Sequence, residues 1–240
     1  MTRRLILIRH GQTDYNATRR MQGQLDTHLS ALGREQAAAA GEQLLSENIT
    51  RIISSDLSRA HDTALIIGRV LGLDVSTDPR LRETHLGEWQ SKTAMEVDEE
   101  LPGARAAWRH DATWAPPGGE SRVAVAVRAR PVIEELMVSY GDWDDHSVLI
   151  VAHGGTISAL TSSLLDLEVG MYPMFSGLKN TRRSQLTARP RYRPGSRDAL
   201  DDVSHGVESG NGTAGPVGAP DFTPATVSDA QWYLDGWNMG

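Results

Sequence analysis

Cysteine is absent from the 240 residues. That excludes disulfides, thiolate nucleophiles and cysteine-ligated zinc, and it fits a reducing compartment. Long hydrophobic runs are absent too. No stretch approaches the roughly 20 apolar residues of a membrane-spanning helix. Met1-Thr2-Arg3-Arg4 lead into an apolar run shorter than a signal-peptide core, with no small-residue cleavage site after it. The expectation is a cytoplasmic protein with no membrane partner. Nor is there an excess of positive charge: the net charge is −7. Nonspecific nucleic-acid binding draws its affinity from cationic contacts to phosphates, so a nucleic-acid partner is not expected. A small anionic ligand is compatible with this balance, because a local arginine pair outweighs a distant field.

What is present is a chain long enough to bury most of its apolar surface in one domain. Leu5-Ile6-Leu7-Ile8 is an apolar run of strand length that ends abruptly in Arg9-His10-Gly11. Ser147 to Ala152 is a second such run, ending in His153-Gly154-Gly155. Arg51 to Ser54 and Leu73 to Val75 read as further short strands. A helix is expected from Ser30, its N-cap, to about Glu47. Another carries Leu57, Ala60, Ala64, Ile67 and Leu71 at three- and four-residue steps, with Ser55 or Asp56 as its cap. A third runs from about Glu120 to Tyr140, with a break or kink at Pro131. Thr156 to Leu165 reads as helix and Gln231 to Trp237 as a final strand. The alternation predicts an α/β fold, a three-layer α/β/α sandwich around a mainly parallel sheet. Residues 1–240 read as a single domain with two irregular parts. One is a cap-like segment of about 92–122, where prolines and glycines interrupt any long helix. The other is a flexible Gly/Pro/Ser-rich insertion of about 190–226.

In an open α/β sheet, ligands bind beyond the carboxyl ends of the strands. Two strands that end in histidine would bring His10 and His153 into one cleft there. Neither lies in a metal-ligand spacing, so no metal is expected. Covalent phosphoryl transfer is the alternative. A neutral imidazole attacks phosphorus, guanidinium groups hold the phosphoryl oxygens, and an acid protonates the leaving oxygen. Arg9 adjoins the first histidine, Arg59 sits where a strand gives way to a helix, Glu83 follows the third strand, and Asn16 supplies a neutral donor.

Four segments in order carry a resemblance: Leu7 to Asn16, Ser54-Ser55-Asp56-Leu57-Ser58-Arg59-Ala60, Leu81-Arg82-Glu83 with Gly87-Glu88-Trp89-Gln90, and Ala152-His153-Gly154-Gly155. Together they resemble the histidine phosphatase superfamily, which holds phosphoglycerate mutases and related phosphatases. The resemblance implies a phosphoglycerate mutase-like fold, His10 as the phosphorylated nucleophile and Glu83 as proton donor. It implies that Arg9, Arg59 and His153 bind the phosphoryl group, with Asn16 assisting. Met21-Gln22-Gly23-Gln24-Leu25-Asp26-Thr27 and the stretch from Pro102 to Pro116 narrow the resemblance to phosphatases of small phosphorylated sugar acids. Those act as homodimers without metal or other cofactor, and Gln22, Gly23 and Gly154 become substrate contacts. The rival within the same superfamily is a cofactor-dependent phosphoglycerate mutase or a broad-specificity phosphatase. Leu86-Gly87-Glu88-Trp89-Gln90 resembles the phosphatase branch. The mechanism needs His10 neutral, which adjacent cations favour, and Glu83 protonated when phosphate is bound. Trp108 and Trp114 either line a sugar pocket or pack a lid. Gly118-Gly119-Glu120-Ser121 is either a substrate loop or the turn that caps the next helix.

Overall fold

A computed structural model describes residues 1–175, 177–191, 222–223 and 226–240. Its strands are β1 (Arg3–Arg9), β2 (Ile49–Ser54), β3 (Val75–Thr77), β4 (Ser147–Ala152), β5 (Arg183–Pro190) and β6 (Ala230–Met239). Its helices are α1 (Asp14–Ala17), α2 (Ala31–Gln43), α3 (Ser58–Leu71), α4 (Ala94–Glu100), α5 (Ala104–His110), α6 (Arg122–Ser139) and α7 (Gly154–Leu164). The strands form one sheet in the order β3-β2-β4-β1-β5-β6. The first four pair in parallel, while β5 and β6 run antiparallel at one edge.

The period-2 alternation of a strand sends neighbouring side chains to opposite faces, and here both faces are apolar. Leu5, Leu7, Val148 and Ile150 join a core with α6 and α7 residues such as Ile133, Leu136 and Ile157. Ile6, Ile8, Leu149 and Val151 join the opposite core with Ala40, Ala60, Ala64 and Ile67 of α2 and α3. The result is the expected α/β/α sandwich. Leu5, Ile6, Leu7 and Ile8 are all at most 1% exposed. Their burial is worth about 1.5–3 kcal/mol each relative to exposure, so the strand end that carries Arg9 and His10 is firmly anchored. Among the described residues, no helix is long and apolar enough to cross a membrane.

Several local expectations shift. Ser30 caps α2 as read, accepting from the Gly33 N–H, but the helix stops at Gln43. The N-cap of α3 is Leu57, without a side-chain cap bond. Ser55 and Asp56 are engaged elsewhere, with His153 and Arg82. The third strand lies two residues later than read, at Val75–Thr77. Helix α6 continues through Pro131. The carbonyl that Pro131 leaves without an N–H belongs to Val127, whose side chain is 69% exposed, so water reaches that face and the helix is not forced to break. Within 92–122, Pro102 and Gly103 separate the two short helices α4 and α5. Nearly all of the proposed 190–226 insertion lies outside the described residues.

Candidate active site

Parallel pairing of β1 with β4 aligns Arg9 with Ala152. The next residue of each strand is therefore a histidine at the same sheet end. The His10 N–H donates to the Ala152 carbonyl at 3.0 Å, and the two imidazole centroids lie 5.2 Å apart. Both rings are buried. His10 Nδ1 lies 2.7 Å from the Gly11 carbonyl. A carbonyl only accepts, so Nδ1 carries the proton and Nε2 keeps its lone pair. Arg59 Nε donates to that lone pair at 3.3 Å. Burial, followed by the charges of Arg9 and Arg59, holds the His10 pKa well below 6.5. Its neutral form is the one present at neutral pH. Gly11 is required by close approach: a Cβ there would lie 2.3 Å from the Gly33 carbonyl oxygen.

Arg59 stands in the first turn of α3, fully buried. It donates to the carbonyls of Leu25 and Gly23, both at 2.8 Å. Arg9 donates to the Leu178 carbonyl at 2.5 Å, and its Nε is buried with no partner among the described residues. Carbonyls orient a guanidinium without cancelling its charge. The cleft therefore holds two cations held in place by neutral groups. Burial, opposed by Glu83 and reinforced by Arg9, lowers the Arg59 pKa to about 10, so the guanidinium stays charged at neutral pH. Burial chiefly lowers that of Arg9 as well.

His153 is the N-cap residue of α7. Its Nε2 meets Ser55 Oγ at 2.9 Å, while its Nδ1 is buried and unpartnered among the described residues. Burial, then Arg59, His10 and Arg9, push its pKa well below 6.5. Glu83 lies across the same helix terminus. Its carboxylate accepts from the backbone N–H groups of Thr84 at 2.8 Å, Thr156 at 3.1 Å and Gly155 at 3.2 Å. The free N–H groups of a helix start thus position the acid.

The amides complete the lining. Asn16 Oδ1 accepts from the Thr13 N–H and from Asn180 Nδ2. Gln22 Oε1 accepts from Thr13 and Thr27 hydroxyls. With both oxygens tied into the protein, the two NH₂ groups are left as donors toward the cleft. The cleft has a volume of about 180 Å³ and is lined by Arg9, His10, Asn16, Arg20, Met21, Gln22, Gly23, Arg59, Glu83, Thr84, Leu86, Trp108 and Gly155. Gly23, at φ 55°, contributes its carbonyl to Arg59. Gly154 stands behind, 3.7 Å from the Arg9 side chain where a Cβ would sit, and Gly155 is the one at the cleft. A larger depression of about 550 Å³ beside the end of α3, lined by Leu65, Arg69 and Val75 among others, contains none of these groups.

The remaining candidates sort themselves by position. Trp108 lines the cleft and stands edge-on to Trp89 at 5.9 Å, whereas Trp114 packs on Trp89 at 5.4 Å outside the cleft. Gly118 to Ser121 is a turn: Ser121 caps α6, and Gly119 packs on the His85 carbonyl. His85 accepts from the Gly87 N–H and its own N–H donates to Glu120, away from the reacting atoms. His28, His110 and His146 are exposed, and His205 lies outside the described residues. Among the described residues, no group of three or more His, Cys, Asp or Glu gathers as a metal site. The imidazole pair also faces two guanidiniums, whose charge opposes a divalent cation. The sequence reading missed Ser55, Gly155, Thr156 and Asn180. The last of these donates to the His10 carbonyl at 3.0 Å as well as to Asn16.

Known proteins are similar to this chain in sequence and in fold. Residues 5–194 match the histidine phosphatase superfamily (branch 1). A glucosyl-3-phosphoglycerate phosphatase of Mycolicibacterium vanbaalenii is 48% identical over 240 residues, covering 98% of this chain and 94% of the relative. One from Mycobacterium tuberculosis is 54% identical over 199 residues, covering 81% and 88%. The native structure of a mycobacterial glucosyl-3-phosphoglycerate phosphatase superposes with a TM-score of 0.83 at 44% identity, over the whole of both chains. A probable phosphoglycerate mutase of Photorhabdus laumondii is 36% identical, over 67% of this chain and 74% of its own. The chain belongs to the histidine phosphatase superfamily, branch 1.

Proposed function

We propose that this protein hydrolyses glucosyl-3-phosphoglycerate to glucosylglycerate and phosphate through a phosphohistidine on His10. In the first step the Nε2 lone pair attacks phosphorus and the P–O bond to the glycerate carbon chain breaks. Glu83 gives its proton to the leaving oxygen. In the second step water attacks the phosphohistidine, Glu83 takes a proton back, and the P–N bond breaks to release phosphate. Arg9, Arg59 and His153 bear the charge on the phosphoryl oxygens, with Asn16 and Gln22 as neutral donors. The observation that carries this reading is the His10 geometry: Nδ1 committed to the Gly11 carbonyl, Nε2 unprotonated, and two guanidiniums whose hydrogen bonds go to neutral groups only.

The substrate rests on the 48% and 54% identical relatives, both named for that phosphatase activity. It would put the reaction on the route to methylglucose lipopolysaccharides. The chain acts, on this reading, as one domain whose 92–122 segment caps the cleft, and as a cytoplasmic homodimer. Sedimentation at the mass of one chain would contradict the dimer. A panel of phosphorylated sugars, glycerates and nucleotides ranked by kcat/KM tests the substrate. Glucosyl-3-phosphoglycerate should lead it. Isomerisation of 3-phosphoglycerate without phosphate release would make the protein a mutase instead.

A further inference from the structure

His10 lines the cleft and His153 stands behind it, 5.2 Å away between ring centroids; the two have different tasks, and each task needs a particular ring nitrogen to hold the proton. For His10 the Gly11 carbonyl makes that choice. No carbonyl or carboxylate makes it for His153. The ring's sole hydrogen-bond partner among the described residues is the hydroxyl of Ser55, 2.9 Å from Nε2. A hydroxyl can donate or accept, so the surroundings of Ser55 decide.

Ser55 is fully buried. It follows β2 directly, and its N–H donates to the Val151 carbonyl of β4 at 2.9 Å. That pairing sets it beside His153. Its Oγ accepts from the Leu57 N–H at 3.3 Å, at the entrance to α3. One lone pair is thus used, and the hydroxyl hydrogen still needs an acceptor. The nearby Ser55 carbonyl already takes the Ser54 hydroxyl. If His153 donated from Nε2, the Ser55 hydrogen would be buried without an acceptor, and an Nδ1 lone pair would face the phosphoryl oxygens. If Ser55 donates, every group is matched: Nε2 accepts, and the buried, unpartnered Nδ1 becomes an N–H.

We propose that Ser55 is a positioning residue that fixes the tautomer of His153, its hydroxyl donating to Nε2 so that Nδ1–H is presented to a phosphoryl oxygen. This rests on the phosphatase reading. Double protonation would dispense with the choice, but burial and the neighbouring arginines keep His153 neutral, so the tautomer decides whether the ring attracts or repels the phosphoryl group. Both rings then carry their proton on Nδ1. His10 offers its Nε2 lone pair to phosphorus, and His153 offers its Nδ1 proton to oxygen.

Long-range proton–nitrogen correlation spectra of the ¹⁵N-histidine protein test this, with His153 assigned by its loss in His153→Gln. The wild-type ring should show a protonated Nδ1 and an unprotonated Nε2. Inorganic phosphate should move the Nδ1 proton downfield. Ser55→Ala should mix the tautomers and lower kcat by tenfold or more, and Ser55→Thr, which keeps the hydroxyl, should recover most of both. A wild-type ring protonated on Nε2 overturns the proposal even if Ser55→Ala does not fold. An unchanged tautomer and kcat in Ser55→Ala overturns it as well. Phosphohistidine formation on His10 is scored separately. An Nε2–H ring in a protein that still phosphorylates His10 refutes this assignment alone, whereas absence of phosphohistidine refutes the phosphatase mechanism whatever the spectrum.

Discussion

Gly155→Ala should cripple the acid while leaving the fold intact. A Cβ at this position would lie 2.5 Å from Glu83 Oε1 and 2.7 Å from Thr84 Oγ1. Ordinary van der Waals contact begins near 3.4 Å, so the carboxylate must retreat by roughly 1 Å, and a displacement of that size costs on the order of 10²-fold in rate. The Gly155 N–H that holds Oε2 at 3.2 Å moves with it. Stability should change little. Overpacking costs about 1–3 kcal/mol, but the atoms that must yield are side-chain ends, and alanine in a helix is favoured over glycine by about 1 kcal/mol. The assay compares kcat for glucosyl-3-phosphoglycerate with that for p-nitrophenyl phosphate, whose leaving group needs no protonation. The first should fall about 10²-fold, the second much less, with Glu83→Gln as the reference for complete loss of the acid. Equal losses on both substrates, or none, would refute Glu83 as the proton donor held by the start of α7.

Two further outcomes follow from the same site. His10 and His153 both have folded-state pKa values well below 6.5. As pH falls below about 6.5 the unfolded chain takes up protons that the native chain refuses, so stability is full above that pH and declines on acidification, by up to about 2.7 kcal/mol per pH unit for two protons. Urea midpoints measured from pH 7.5 to pH 5 should drop accordingly, with the acid limb of kcat/KM also lying below pH 6.5; a flat stability profile would contradict the buried neutral pair. Asn180→Ala should raise KM by loosening the Asn16 amide, which keeps only the Thr13 N–H, at a stability cost of about 0.5–1.5 kcal/mol, because the His10 carbonyl still accepts from the Thr181 N–H at 3.4 Å. Asn180→Asp should be worse than alanine, because a carboxylate would face the Asn16 and His10 oxygens; an aspartate variant that works like wild type would remove Asn180 from the site.

The parts of this fold legible in the sequence were those written in local pattern. β1 and β4 are uniform apolar runs because both their faces are buried, and their ends named His10 and His153. Arg59 and Glu83 were found through their motifs, since nothing in composition separates a buried arginine from a solvated one. β5 carries no strand signal in the sequence, although Ser184, Leu186 and Ala188 alternate inward along it. Its polar flanks and the single large side chain in that row hid the period. Asn180 was invisible for a different reason. It reaches His10 and Asn16 across 170 and 164 residues, and its segment carries no periodicity. From sequence alone Ser55 reads as a candidate helix cap, beside Asp56, because that is the commoner use of a serine before a helix. Only the pairing of β2 with β4 shows it beside His153. Pro131 does not end α6, since the cost of a helix proline depends on whether the freed carbonyl meets water.

The most direct test of the account is rapid-quench trapping with substrate labelled on phosphorus. The wild-type protein should incorporate label into an acid-labile, base-stable phosphohistidine that maps to His10, at a rate no slower than turnover, and His10→Ala should incorporate none and release no phosphate. Turnover by His10→Ala, or label found on any residue other than His10, would contradict it.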